Sequence, residues 1–316
     1  MIVALVALTI ALAFANGAND VSKGIATLAG SGVSNMRAAI VWGSIWTVTG
    51  ALVASIGQQA LAATFSGKGL LRSPVDSPAF LLAVAIGAIG WLLVATVTAM
   101  PVSTTHALAG ALCGVGIVSA RGVMWKAVIV KIGLPLALSP LVSVTILLVI
   151  HGAMRRAPIP AVFRTQTSES GFTTVDMLHW LFAGLTSFFR GLNDTPKIVA
   201  LSAATAGIYP LVAVAMGLGG IIFGFRVTET LARRVTQIEP GEGFVANLVT
   251  SALVAAASQY ALPVSTTHVS TGSIAGAGLA RGRELQWKTI RDVLLAWLVT
   301  LPVSALLGGA AFIALR

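Results

Sequence analysis

The hexapeptide Pro101-Val102-Ser103-Thr104-Thr105-His106 recurs without change at Pro263-Val264-Ser265-Thr266-Thr267-His268. Other residues repeat at the same offset along the chain as these two hexapeptides. These are Gly110 and Gly272, Gly114 and Gly276, Gly116 and Gly278, Trp125 and Trp287, Lys126 and Lys288, and Pro140 and Pro302. Because chance does not produce so long an agreement, the chain contains an internal duplication.

A second pair of related segments lies upstream, one in each half of the chain. Gly17-Ala18-Asn19-Asp20-Val21-Ser22-Lys23 corresponds to Gly191-Leu192-Asn193-Asp194-Thr195-Pro196-Lys197, at a slightly larger offset than that of the hexapeptides. Both segments follow the pattern G-x-N-D-x-x-K, and we call them the first and second acidic motifs. The duplication therefore places one acidic motif and one hexapeptide in each half.

The composition indicates a membrane protein. Of the 316 residues, 56% are hydrophobic and 9% are charged, whereas soluble domains carry roughly 25% charged residues. The net charge of +10 is typical of basic cytoplasmic loops and contact with anionic lipid, and an anionic substrate is a second explanation. Nucleic acid is excluded as a partner because the basic residues are dispersed and form no dense run. A single cysteine, Cys113, makes no disulfide framework, and the residues suggest no cofactor.

The hydrophobic pattern predicts an all-α integral membrane fold with two homologous repeats. We expect the first repeat at residues 1–150, a polar linker at 151–176 and the second repeat at 177–316. Apolar runs long enough to cross a bilayer are the basis for the predicted spans. The predicted spans are Ala38–Phe65, Ala79–Met100, Ala127–Ile150, Ile208–Phe225, Phe244–Leu262 and Thr289–Leu315.

Each repeat is predicted to contain a discontinuous helix and a re-entrant hairpin. The helix is expected to break at Asn16–Asp20 in the first half and at Asn193-Asp194 in the second. Pro101 disfavours helix at the residue before it, and Ser103, Thr104 and Thr105 are residues that can cap a new helix, so the chain is expected to turn back there. Irregular backbone at membrane depth is tolerated only beside protein or water. The residues alone leave open whether the two repeats are inverted.

The hexapeptides have the chemistry of an anion site. Helices that begin inside the membrane offer unpaired backbone amides and the positive end of a dipole, and hydroxyl groups add uncharged donors. A doubled site of this kind suits a tetrahedral oxyanion. The predicted substrate contacts are Ser103, Thr104, Thr105, Ser265, Thr266 and Thr267. Arg190 is interpreted either as a further anion contact or as an interface charge.

The acidic motifs supply the opposite chemistry. Amide and carboxylate oxygens inside a membrane hold cations or carry protons. The predicted residues for a coupling cation are Asn19, Asp20, Asn193 and Asp194, with Na⁺ at Asp20 and Asp194 as one form of the site.

Two lysines and two histidines are predicted to modulate this charge. Lys23 and Lys197 each follow an aspartate by three residues, so both can form ion pairs on a helix. A purely structural ion pair is the alternative. His106 and His268 are interpreted as hydrogen-bonded structural residues or as proton carriers.

The acidic motifs and the twin hexapeptides together resemble the PiT family of inorganic phosphate transporters, also described as phosphate and sulfate permeases. The resemblance covers nearly the whole chain and includes the stretch from Arg226 through Asn247 to Pro263. It implies an inverted repeat, a homodimer and cation-driven uptake of phosphate. It also implies that the hydroxyl groups of the hexapeptides surround the anion and that the Asn and Asp residues surround the coupling cations.

The sequence departs from the family pattern at two positions. The first motif of the family usually reads G-A-N-D-V-A-N-A, whereas Lys23 stands here where an amide is expected. A fixed ammonium near Asp20 would compete with Na⁺, which favours coupling by protons or by fewer sodium ions. Arg190 stands where the second motif often has His, which bears on the charge of the preferred anion.

The leading hypothesis is a secondary active symporter of inorganic phosphate that is driven by a proton or sodium gradient. The alternatives are a permease for sulfate or a related oxyanion and a passive anion channel, although a pore selecting anions would not be lined with Asp. A membrane hydrolase is disfavoured, because an enzyme needs one asymmetric constellation and not the same residues twice. The short chain suggests the cytoplasmic membrane of a prokaryote.

Overall fold

The computed structural model describes residues 1–57, 59–75, 77–156, 172–202 and 206–316. These residues form helices and turns, and no β-strand occurs among them. The helices of the first half are α1 (Ile2–Asp20), α2 (Ser22–Gly30), α3 (Met36–Val53), α4 (Gln59–Phe65), α5 (Pro78–Val97), α6 (Thr104–Val118), α7 (Trp125–Val128) and α8 (Leu134–Arg156). The helices of the second half are α9 (Thr174–Val199), α10 (Tyr209–Phe223), α11 (Phe225–Arg233), α12 (Pro240–Gln259), α13 (Thr266–Ala280) and α14 (Trp287–Ala314). The prediction of an all-helical chain is confirmed.

The helices of this chain are those of a multi-pass membrane protein. Six helical stretches in the described residues are long and apolar enough to cross a bilayer, and a seventh is reached if α10 and α11, bent by 68° at Gly224, form one span. Helices are suited to the hydrocarbon core of a bilayer because their backbone N–H and C=O groups bond to each other within the helix. The predicted span Ala38–Phe65 is wrong as one element, because α3 ends at Val53 and α4 begins at Gln59.

The predicted helix break is wrong at the second acidic motif, and at the first acidic motif the helix is interrupted by a single residue. Only Val21 separates α1 from α2, its backbone is helical, and its amide bonds to the carbonyl of Gly17 at 3.1 Å. Helix α9 runs through Asn193 and Asp194 to Val199, with Pro196 inside it. The polar side chains bond to neighbouring helices, as described below, so the backbone keeps its helical hydrogen bonds.

Each hexapeptide lies where an apolar helix ends and a second, buried helix begins. Ala99 and Ala261 turn the chain with φ of 59° and 51°, a region that few residues other than glycine adopt. Helices α6 and α13 then start, and the hydroxyl oxygens of Ser103 and Ser265 accept the amides three residues later at 3.3 Å. The cap predicted within Ser103–Thr105 is therefore present at Ser103, and Ser265 caps the equivalent helix. The depth of the two turns in a membrane stays a prediction.

Several helices of each half pack against helices of the other half. Helix α6 packs against α14 and helix α13 against α8, while α1 packs against α10 and α9 against α3. The contacts are close: a Cβ on Gly114 of α6 would lie 2.0 Å from the carbonyl oxygen of Ala305, and one on Gly17 would lie 1.9 Å from that of Met216. This interlocking brings both acidic motifs and both hexapeptides to one buried centre.

The predicted linker at 151–176 overlaps the helices at its two ends. Helix α8 extends to Arg156, and α9 begins at Thr174 behind a capping box formed by Thr173 and Asp176. The remainder, 157–171, lies outside the described residues. The boundaries of the two repeats therefore stay predictions.

Candidate functional site

The side chain of Asn16 contacts polar residues from both halves of the chain. Its amide nitrogen lies 3.1 Å from Oδ2 of Asp20, 2.9 Å from Oγ1 of Thr104 and 3.2 Å from Oδ2 of Asp194. Both acidic motifs and the first hexapeptide therefore converge on one buried side chain. Asn16 was not among the residues predicted from the sequence.

Arg190 lies in the same cluster, in the interior of the protein. Its guanidinium is fully buried and donates to Oδ1 of Asn16 at 3.1 Å and to Oγ1 of Thr47 at 2.5 Å. Its Nε has no partner among the described residues. The offset between Asn16 and Arg190 is the one that relates the two acidic motifs, so they occupy equivalent positions of the two repeats and bond to each other.

The ammonium of Lys23 is held within the first acidic motif. Its Nζ lies 2.5 Å from Oδ1 of Asp20, and both the side-chain and the main-chain oxygens of Asn19 are at 2.8 Å. An ammonium has three donors, so three oxygens satisfy it. The lysine side chain is completely buried.

The ammonium of Lys197 is held in the second acidic motif and reaches further. Its Nζ lies 2.5 Å from Oδ1 of Asn193 and 2.9 Å from Oδ1 of Asp194. It also donates to Oγ1 of Thr105 at 2.8 Å and lies 3.2 Å from the carbonyl oxygen of Val264. Lys197 therefore connects its own motif to both hexapeptides, whereas Lys23 bonds to its own motif.

The two motif asparagines are oriented by matched hydroxyl groups. The amide of Asn19 donates to Thr96 at 3.1 Å, and the amide of Asn193 donates to Ser258 at 3.0 Å. Thr96 and Ser258 are related by the offset of the two hexapeptides, so this contact is duplicated as well. The amide nitrogen of Asn19 also donates to the carbonyl of Met100 at 3.0 Å. The side-chain oxygens of both asparagines accept hydrogen bonds from the lysines.

The threonines of the hexapeptides divide into three environments. Thr104 donates to Oδ2 of Asp20 at 3.1 Å. Thr105 donates to the carbonyl of Val264 at 3.2 Å, and Thr267 donates to the carbonyl of Val102 at 2.7 Å. Thr266 is buried, and its hydroxyl has no partner among the described residues.

The remaining hydroxyls, those of Ser103 and Ser265, are used as helix caps. A serine hydroxyl that accepts an amide keeps its own O–H to donate. Both serines can therefore give a hydrogen bond to an anion while capping their helices. Thr266, whose hydroxyl is unpartnered within the described part of the chain, adds a third donor.

His106 and His268 lie side by side. Their ring centroids are 4.7 Å apart, and the ring of His268 stacks on Trp297 at 3.7 Å. Nδ1 of His268 lies 2.8 Å from the carbonyl of Leu136, and Trp297 donates to the carbonyl of Pro101 at 3.1 Å. These contacts suit a hydrogen-bonded structural role for His268, whereas Nδ1 of His106 is buried and has no partner among the described residues. The roles of both histidines stay predictions.

The cluster carries excess positive charge. By formal charge, Asp20 and Asp194 contribute two negative charges and Lys23, Lys197 and Arg190 contribute three positive charges, so one positive charge is left. All five residues are at most 3% exposed. A buried net charge is costly unless it is compensated. An anion at this centre would be stabilised, and the hydroxyls of the hexapeptides would direct its oxygens.

The structure brings the predicted site residues to this centre or beside it and adds several that were not predicted. The additional residues are Asn16, Thr47, Thr96, Ser258 and Trp297. The duplication could have identified three of them, because Asn16 aligns with Arg190 and Thr96 aligns with Ser258. Thr47 and Trp297 have no such signal, since only the packing of α3 and α14 brings them near.

The chain is similar in sequence to known phosphate transporters. A family model described as "Phosphate transporter family" matches residues 16–308. The chain is 29% identical to a "Probable low-affinity inorganic phosphate transporter" of Mycobacterium tuberculosis (strain ATCC 25618 / H37Rv) over 99% of this chain and 77% of the relative. It is 29% identical to a protein of the same description from Bacillus subtilis (strain 168) over 97% of this chain and 95% of the relative.

A solved structure has the same fold. The chain described as "The sodium-dependent phosphate transporter" superposes with a TM-score of 0.85, covering 99% of this chain and 98% of that one, at 22% sequence identity. At that identity the likeness concerns the fold.

Proposed function

This chain belongs to the phosphate transporter family, and we propose that it is a secondary active symporter that moves inorganic phosphate with a coupling cation. The observation that carries the proposal is the buried centre of excess positive charge between the two capped helices. A phosphate ion is a tetrahedral oxyanion, and its oxygens accept hydrogen bonds from hydroxyls and from Arg. The curated relatives are described as inorganic phosphate transporters, which supports the same substrate.

In the proposed site, Ser103, Ser265 and Thr266 donate hydrogen bonds to the anion, and Arg190 supplies the excess charge. Thr104, Thr105 and Thr267 hold the site together through the bonds they already make. Neutral donors suit a transported ion, because it must be released as well as bound.

The proposal includes alternating access of two inverted repeats. The exchanged packing of α6 on α14 and α13 on α8 supports this, because it gives each hexapeptide helix an equivalent partner in the other half. Re-entrant hairpins at the two hexapeptides, a homodimer and the cytoplasmic membrane of a prokaryote belong to the same proposal. The coupling cation in this proposal is a proton or Na⁺, and the description of the fold neighbour as sodium-dependent supports Na⁺ alone.

Transport in purified proteoliposomes tests this function. Labelled phosphate should accumulate above its equilibrium level when a proton or sodium gradient is imposed, and dissipating the gradient should release it. Uptake that only equilibrates would identify a passive anion channel. Uptake abolished by a modest excess of sulfate would shift the assignment to a sulfate permease, so labelled sulfate is measured in parallel.

A further inference from the structure

We infer that Lys23 and Lys197 are built-in counter-cations that occupy the oxygen sites where the sequence predicts Na⁺, so that uptake of phosphate by this chain is independent of sodium. The inference rests on the proposed function, because it names the ionic requirement of the same site.

The oxygens of the first acidic motif are already coordinated to a cation. A monovalent metal at Asp20 would need the Asp20 carboxylate and the oxygens of Asn19 as ligands. Those oxygens surround Nζ of Lys23 at 2.5–2.8 Å. The three donors of the ammonium match the three oxygens, and Oδ2 of Asp20 is bonded to Asn16 and Thr104.

The second acidic motif repeats the arrangement from an independent position in the chain. Oδ1 of Asn193 and Oδ1 of Asp194 both lie within 2.9 Å of Nζ of Lys197. The oxygens of Thr105 and Val264 complete a shell of four around this ammonium. The structure thus has two cation sites, and in both the cation is covalently attached to the chain.

Because each ammonium is covalently attached to the chain, it differs from a bound metal ion in the transport cycle. A bound metal ion leaves the site in each transport cycle, whereas a lysine ammonium stays with the protein. The positive charge that stabilises the anion is therefore present before any cation arrives. A sodium gradient then has no ion to act on at either motif, which leaves the proton as the coupling cation.

A structural ion pair alone makes a different prediction. If the lysines only neutralised the aspartates, removing one would destabilise the protein and no small cation would replace it. If the lysine fills a cation site, shortening it to alanine opens that site to Na⁺. Replacing it with methionine keeps the volume of the side chain, so the site stays closed to the ion.

The experiment compares the wild-type protein with Lys23→Ala and Lys23→Met in proteoliposomes with a proton gradient, at zero and high NaCl with choline as the replacement. Wild-type uptake should be the same in both salts. The uptake by Lys23→Ala in choline should fall at least about tenfold, because the Asp20 carboxylate is left buried without a counter-charge, and it should recover in Na⁺. Lys23→Met should stay inactive in both salts. The exposed Lys126 supplies the control Lys126→Ala, which should behave like the wild type.

Thermal unfolding in detergent provides a readout that needs no transport. Na⁺ should raise the melting temperature of Lys23→Ala and leave that of the wild type and of Lys23→Met unchanged, because a ligand that binds only the folded state stabilises it. The same pattern is expected for Lys197→Ala and Lys197→Met. A wild type whose uptake rises steeply with Na⁺, or an alanine variant that Na⁺ neither reactivates nor stabilises, would overturn the inference. If the wild type moves no phosphate under any gradient, the proposed function fails, and the melting temperatures still decide whether the lysines fill cation sites.

Discussion

The hydroxyl of Thr267 donates a 2.7 Å hydrogen bond to the carbonyl of Val102, so the second hexapeptide is anchored on the backbone of the first. Thr105 returns the same bond to Val264 at 3.2 Å. The two caps are therefore fixed relative to each other by a reciprocal pair of bonds. A motion that separates the hexapeptides must break both.

Substitution of Thr267 by valine should test this anchor. Valine keeps the shape of threonine but leaves the buried carbonyl of Val102 without its donor, a loss of about 1–3 kcal/mol of stability. We expect a lower melting temperature and a reduced maximal rate of uptake. The control is Thr49→Val on exposed α3 surface, where the hydroxyl bonds to its own helix at Trp46, and it should change neither quantity. If Thr49→Val lowered the melting temperature and the rate of uptake as much as Thr267→Val, the bond from Thr267 to Val102 would not be the cause of the loss.

Replacement of Arg190 by glutamine should weaken phosphate binding. The change removes the excess positive charge of the cluster while keeping a side chain that can bond to Asn16. We expect the KM for phosphate to rise at least about tenfold, the loss of one charge-assisted interaction of roughly 1.5–3 kcal/mol. Arg190→Lys keeps the charge and should give a smaller increase. A KM unchanged in the glutamine variant would remove Arg190 from the anion site.

Neutralising Asp20 alone should be worse for stability than neutralising Asp20 and Lys23 together. Asp20→Asn leaves the buried ammonium of Lys23 without its carboxylate, and breaking a buried pair in this way costs about 3–5 kcal/mol. The double variant Asp20→Asn with Lys23→Met removes both charges of the pair and leaves the net charge of the cluster unchanged. Its melting temperature should lie above that of Asp20→Asn, although both should fail to transport phosphate. If the double variant lost as much stability as the two single changes together, Asp20 and Lys23 would not stabilise the protein as an ion pair.

Two glycine-to-alanine changes should have opposite effects on stability. At Gly114 the new methyl group would lie 2.0 Å from the carbonyl oxygen of Ala305, so α6 and α14 must move apart at a cost of about 1–3 kcal/mol. At Gly152, within α8, no described atom lies within 4 Å of the added group. Alanine there should stabilise the helix by about 0.5–1 kcal/mol. Melting temperatures of the two variants in the same detergent provide the comparison.

The sequence was most informative where the duplication is exact. The first hexapeptide predicted a helix cap within Ser103–Thr105, and the structure has one at Ser103 and an equivalent one at Ser265. The i,i+3 spacing predicted the Asp20–Lys23 and Asp194–Lys197 pairs, which are buried ion pairs at 2.5 and 2.9 Å. Local spacing determines both features, so no knowledge of the tertiary packing was needed.

The errors arose where a polar side chain was interpreted as a break in the backbone. Asn193 and Asp194 looked incompatible with an apolar helix, but Ser258 and Lys197 satisfy them from the side, and α9 continues. Those partners belong to other helices or to the next turn of the same helix. The role of Asn16 was missed for a related reason, since its partners Thr104 and Asp194 are 88 and 178 residues away.

The exchanged packing of the two halves also bears on how such a chain could have arisen. In each half, a buried hexapeptide helix finds its main partner in the other half: α6 packs on α14, and α13 packs on α8. Two separate copies of a single half could make the same contacts through a twofold symmetric interface. An ancestor of half the length would then have worked as a pair of identical subunits, and gene fusion would have freed the two copies to diverge. The exchange of Asn16 for Arg190 at equivalent positions is a divergence that a symmetric pair could not have made.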